Sequence, residues 1–248
     1  VVFAGAGHAT LIALRRLARH PLGADMTLVS RGEATHYTGM VPGWIEGLYP
    51  ERALAIPLTD LAARQGVRFV PGEVVGADGE HVRLADGREF PFDLLVLDTG
   101  SVSARYGPLS GPGVVPAKPF TALIAGLRPR LDSARSFLIA GAGTAGLEVA
   151  FAIRRRRPRA AITIVEQGER LLPAAPHAFV RRVAGRLAEA AIDLRLGARL
   201  LTVEFGEALL ADGAVLQAGC TLAMTGAQPP AWLDETPFAR APDGFLAV

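Results

Sequence analysis

Hydrophobic positions along the chain fall into two series with the same grammar. The first opens with an apolar run, Val1–Ala4, which reads as a short buried strand leading into a glycine turn. Leu11, Leu14, Leu17 and Ala18 then recur at helical spacing and predict a helix over Ala9–Arg19. Met26–Ser30 is a second strand-like run, whereas Gly and Pro punctuate 37–49 and predict no regular element there. Leu58, Leu61 and Ala62 share a face and predict a helix over Leu58–Gln65, ended by Gly66. Residues 67–97 break into short strands at Pro71-Gly72, Asp78-Gly79 and Asp86-Gly87. The last of these strands, Asp93–Leu97, runs into Asp98-Thr99-Gly100-Ser101.

The same order then returns. Ser136–Ala140 reads as a strand, Gly141–Gly146 as a glycine turn, Leu147–Arg157 as a helix and Ala161–Glu166 as a second strand. A helix around Phe179–Ala190 precedes short strands at 192–197, 199–205 and 214–218. Leu222–Ala227 closes this series as 97–101 closes the first. A long-period duplication of strand, turn, helix and strand predicts tandem Rossmann-like α/β units, with the Gly/Pro-rich stretch 107–119 as the linker.

Composition narrows the classes. Half of the 248 residues are apolar, ample for a buried core, and 28 Gly with 18 Pro show no G-x-y period. Cys220 is the only cysteine, which excludes an internal disulfide, a CxxC redox pair and a cysteine zinc cluster. It begins an apolar strand and is read as buried and inert. The net charge is only +2, so no nucleic-acid partner is expected. The dense run Arg154–Arg157 before Pro158 reads as a helix end facing the negative pole of its dipole. A phosphate or anionic-surface site and a partner contact are its alternative readings. No apolar run reaches the roughly 18 residues of a membrane span. The chain opens on a strand and stops after a Pro-Asp-Gly turn, so it is expected to be cut at both ends, and a soluble cytoplasmic protein is expected.

The second glycine turn, Gly141-Ala142-Gly143-Thr144-Ala145-Gly146, stands in the context a dinucleotide fingerprint requires. Gly141 permits the tight turn, Gly143 lets backbone amides reach a pyrophosphate at the helix N-terminus, and Gly146 permits close helix–strand packing. Glu166, at the end of the next strand, can accept a hydrogen bond from a ribose 2′-hydroxyl and would repel a 2′-phosphate. NADH is therefore favoured over NADPH, with nearby Arg170 working against that exclusion. The first turn, Gly5-Ala6-Gly7-His8-Ala9-Thr10, departs from the fingerprint twice. Thr10 replaces the third glycine, and the second strand ends in Ser30-Arg31 without a carboxylate. Taken alone this turn reads as either nucleotide-binding or structural, and the duplication favours a second dinucleotide. His8 either lies near phosphate or caps the helix. His36 and Tyr37 lie either near a cofactor or in surface packing, and His81 and His177 read as surface residues. Lys118 either neutralises phosphate, reaches a flavin edge or is a solvated linker residue. No nucleophile–base triad or metal motif is visible.

These turns and the closing pieces Leu94–Ser101 and Leu222–Ala227 resemble the pyridine nucleotide-disulfide oxidoreductase superfamily. Within it, Gly5–Ala9 and His36–Gly43 look most like the NADH dehydrogenase-like flavoproteins, some relatives of which are fused to selenide, water dikinase. The resemblance implies an FAD domain over 1–110, an inserted NAD(P)H domain over 111–228 and a return to the FAD domain at 229–248. It places FAD against Gly5, Gly7, His8, Ala9, Ser30, Arg31, Thr99 and Gly100. NAD(P)H is placed against Gly141, Gly143, Thr144, Gly146 and Glu166. Glu148 matches an acid at the nucleotide–flavin junction and, with Lys118, is the candidate catalytic residue; no metal is implied. Gly39–Ile45 lacks the cysteine pair of the disulfide reductases, so no thiol relay is expected. A further Gly-Asp segment and a C-terminal domain are expected beyond Val248.

The activity this implies is transfer of hydride from NADH to FAD and onward to a quinone or other small acceptor. Expected partners are that acceptor, a second copy of the chain and a selenide, water dikinase, with peripheral contact at the inner membrane face if the acceptor is a quinone. Two other readings stay open: a nucleotide-binding regulatory module tied to selenium metabolism, and an NAD-dependent dehydrogenase without flavin.

Overall fold

The computed structural model describes residues 1–104, 109 and 113–247. They divide into two compact units: Val1–Tyr37, Ala55–Val102 and Gln228–Val248 form the first, and Thr38–Leu54 with Ser103–Ala227 the second.

In the first unit four parallel strands lie in the order Arg68–Pro71, Thr27–Ser30, Val2–Ala4, Leu95–Leu97. Strand alternation sends successive side chains to opposite faces. Phe3 and Leu28 turn to a helical layer, where Leu14 of helix His8–Leu17 and Leu58 and Ala62 of helix Leu58–Arg64 bury them. Val2, Ala4 and Val29 turn the other way, onto a meander of Val74–Ala77, His81–Leu84 and Glu89–Pro91. The Asp78 carboxylate sharpens the first meander turn by accepting from the Glu80 and His81 N–H groups at 2.8 and 2.6 Å. These two bonds hold its carboxyl below the usual carboxylate range. Trp232 and Phe238, from the segment that returns after 228, pack on the same side as the meander.

The second unit repeats this three-layer plan. Five parallel strands run in the order Val114–Pro116, Cys220–Ala223, Ser136–Ala140, Ala161–Val165, Asp193–Arg195. Phe137 and Ile139 face the helices Phe120–Leu131, Thr144–Arg156 and His177–Glu189, while Leu138 and Ala140 face a meander of Leu200–Glu204, Glu207–Leu210 and Val215–Gln217.

Several elements differ from the sequence expectation. The expected linker 107–119 contains the strand Val114–Pro116; Val115 is buried, and Pro116 is tolerated because the strand is at the sheet edge. Helix Phe120–Leu131 was not anticipated, although Phe120, Leu123, Ile124, Leu127 and Leu131 keep helical spacing; Gly126 and Pro129 mask it. Helix Val41–Glu46 forms within the stretch read as irregular, because Pro42 fits its first turn and Gly47 ends it with φ +86°. Val41, Trp44 and Ile45 bury this helix against Thr144–Arg156, so 38–54 belongs to the second unit and not to an unbroken 1–110. The expected 110/111 boundary lies outside the described residues. Strand Glu207–Leu210 was also missed, and the helix expected from Leu147 starts at Thr144 because Gly143 is its cap residue.

Arg154 explains why the arginine run sits at a helix end. Its guanidinium donates to the carbonyls of Pro158 and Ala160 at 2.8 Å and of Ala191 at 2.9 Å, tying the helix end to two following turns. Arg156 pairs with Asp132, and Arg155 with Glu46.

Candidate nucleotide sites

The two glycine turns match bond for bond. Gly5 N–H donates to Val29 O and Gly141 N–H to Val165 O, each at 2.8 Å. Asp98 N–H donates to Ala4 O and Met224 N–H to Ala140 O, again at 2.8 Å. Gly5 has φ +100° and Gly141 φ +112°, and a Cβ on either would run into the carbonyl of the closing residue, Asp98 or Met224. Glycine is thus required twice over, by dihedral and by space.

In the second unit the turn opens on a cavity of about 740 Å³ lined by Gly141, Gly143, Thr144, Glu166, Lys118 and Arg199, among others. Among the described residues no atom lies within 4 Å of the Cβ position of Gly143, at the approach to the first helical turn. Thr144 and Ala145 line the cavity at the start of helix Thr144–Arg156, where backbone N–H groups have no intrahelical acceptor. A Cβ on Gly146 would strike the Gly141 carbonyl, which accounts for the third glycine. Half-buried Glu166 accepts from Ala142 N–H and Gly168 N–H, each at 2.9 Å. These bonds aim its carboxylate along the rim of the turn. Arg170 does not share that rim role: its guanidinium donates to Ala175 O at 2.5 Å and holds a local turn. Arg199, which the sequence did not single out, lines the cavity.

Lys118 is fixed through its backbone. Its N–H donates to Ser103 Oγ at 2.8 Å, and that hydroxyl donates back to Lys118 O at 3.2 Å. The structure therefore gathers Gly141, Gly143, Thr144, Glu166 and Lys118 around one cavity, with Gly146 buried beneath. Glu148 is exposed on the same helix and does not line it. Cys220 starts the central closing strand fully buried, and burial pushes its thiol up to about 11, only partly offset by Arg130.

The first turn differs at its mouth. The Asp98 carboxylate accepts from Thr10 N–H at 2.9 Å and fills the space a Cβ on Gly7 would need. Thr10 is fully buried, and its hydroxyl has no partner among the described residues. His8 is exposed at the helix start, its ring edge-on to Tyr37 with centroids 4.9 Å apart; Ala9 beside it is exposed too. Thr99 and Gly100 follow directly on Asp98, Gly100 with φ +81°. Ser30 is half-buried at its strand end. Glu73, just past the end of the neighbouring strand, pairs with Arg31, its Oε1 lying 3.3 Å from Arg31 Nε. Sequence reading missed both acids. Asp98 had a visible signal, a carboxylate directly after the apolar run Leu94–Leu97, whereas Glu73 is brought in only by parallel pairing of 27–30 with 68–71.

Among the described residues no helix is long and apolar enough to cross a membrane, and no cluster of three metal-ligating side chains occurs. The chain is 30% identical over 238 residues to the ferredoxin–NAD(+) reductase component of the p-cumate 2,3-dioxygenase system of Pseudomonas putida, covering 92% of this chain and 58% of that protein. It is 26% identical over 243 residues to the epsilon subunit of the NADH-dependent phenylglyoxylate dehydrogenase of Aromatoleum evansii, covering 92% and 56%. It thus spans little more than half the length of these relatives. Its fold matches the crystal structure of the ferredoxin reductase for the CYP199A2 system of Rhodopseudomonas palustris, with a TM-score of 0.84, 21% identity, and coverage of 97% and 62%. Residues 1–248 match the pyridine nucleotide-disulphide oxidoreductase family from end to end, and the chain belongs to it.

Proposed function

We propose that the protein is an FAD-dependent NAD(P)H oxidoreductase that works without a cysteine pair, with FAD on the first unit and NADH on the second. The observation that carries this reading is the bond-for-bond duplication of the glycine turn, each copy opening a helix at the end of a parallel sheet. NADH would supply the hydride and FAD the site that takes it, with a quinone or another small acceptor as the final electron sink. The protein's own part is binding and alignment. The Thr144 and Ala145 amides take the NADH pyrophosphate at the helix N-terminus, and Lys118 balances its charge. Glu166 accepts from the adenosine ribose, and its negative charge disfavours a 2′-phosphate. Glu148, one turn into the helix and outside the cavity, is the candidate acid for the reacting end only where the nucleotide extends beyond the cavity. On the first unit, Gly5, Gly7, His8 and Ala9 frame the FAD pyrophosphate, and Ser30, Arg31, Thr99 and Gly100 flank it.

The similarity to a ferredoxin–NAD(+) reductase component makes ferredoxin one arm of the acceptor test, beside quinones. Full-length protein should be yellow as purified, and anaerobic NADH should bleach it faster than NADPH does. A colourless full-length protein that does not retain added FAD overturns the reading.

A further inference from the structure

Two residues set the first turn apart from the second, and they touch. Thr10 stands where the second turn has Gly146, and Asp98 where it has Met224. At the second turn no described residue comes near the Gly143 Cβ position. At the first turn the Asp98 carboxylate crosses the mouth, lies against Gly7 and takes the Thr10 N–H. Gly7 is the cap residue of helix His8–Leu17 and offers no side-chain acceptor, so the cap comes from a residue far along the chain. A carboxylate at a helix N-terminus is favourable for the same reason a phosphate is: both meet the positive pole and unpaired N–H groups.

We propose that Asp98 is a built-in anion at the first turn that lowers the turn's affinity for FAD. The inference rests on the reading that FAD binds this turn. A pyrophosphate brought to the His8 and Ala9 amides meets the Asp98 charge at the same helix end. It either displaces the carboxylate from Thr10 N–H or bears its repulsion. Each route weakens binding relative to a turn without that charge. The second turn, with a methionine at this place, carries no such penalty.

Asp98→Asn tests this cleanly, because the amide oxygen still accepts from Thr10 N–H while the charge is gone. FAD affinity of full-length apoprotein is read by quenching of flavin fluorescence on titration, at about 0.02 M and about 0.5 M salt. The expected result is about tenfold tighter binding by Asp98→Asn at low salt, a gap that shrinks at high salt as screening removes the repulsion. A purely structural role would not make the gap depend on salt. Equal or weaker binding by the variant, with wild type still binding FAD, overturns this inference alone and makes Asp98 a spectator or a ligand of FAD. Failure of both proteins to bind FAD overturns the underlying reading of the first turn, and the inference with it.

Discussion

The two glycine turns share a backbone and differ in what fills them. Both place a glycine at strongly positive φ against a carbonyl of the closing strand, and both start a helix at the end of a parallel sheet. In the second unit the mouth opens on a cavity rimmed by Glu166; in the first the Asp98 carboxylate lies against Gly7 and Thr10 N–H. The lesson is that a fingerprint's glycines report on backbone packing, whereas its ligand chemistry depends on side chains supplied from other strands. Each unit solves that second problem separately.

The shared part breaks most severely. Gly5→Ala and Gly141→Ala each force a Cβ into a carbonyl at a dihedral that L-residues avoid, and each should cost about 3 kcal/mol. Chemical denaturation of the two variants tests the equivalence, and a cost at one turn only would break it. A smaller effect sharpens the asymmetry. Glu166→Gln should weaken NADH binding about tenfold, or about 1.4 kcal/mol, while FAD affinity stays unchanged and the preference against NADPH narrows. Fluorescence titration with both nucleotides measures it.

The smallest effect concerns the closing strands: Leu94, just before one, is exposed, whereas Cys220, which begins the other, is buried. The folded thiol titrates at about 11 against an ordinary 9.0, so between these values the unfolded chain binds fewer protons and stability falls as pH rises. The contribution is fully present below pH 9.0 and lost through about pH 11. Wild type should therefore lose about 1 kcal/mol more than Cys220→Ala between pH 9.0 and about pH 10, measured by urea denaturation at each pH.

Much of this was legible in the residues. Val1–Ala4, Ser136–Ala140 and the two glycine turns announce themselves because a buried strand followed by glycines has few other uses. The arginine run at 154–157 reads as a helix end and lies at one, but the Ala191 carbonyl that Arg154 binds comes from chain that only the fold brings near. Helix Val41–Glu46 was hidden because Pro42 and Gly43 look like breakers, and its stability comes from burying Trp44 and Ile45 against a helix far along the chain. Arg170 and Arg199 show the same limit: proximity in sequence pointed to the first, whereas the sheet places the second at the cavity. Asp98 meets Thr10, and Glu73 meets Arg31, across strand pairings that join residues distant in the chain.

The central claim is that the two turns hold two dinucleotides at once. Titration of ADP-ribose, the part of NADH that meets the second turn, onto FAD-loaded full-length protein tests it directly. The account predicts saturable binding with the flavin fully retained. Stoichiometric release of FAD as ADP-ribose binds would show a single shared site and contradict it.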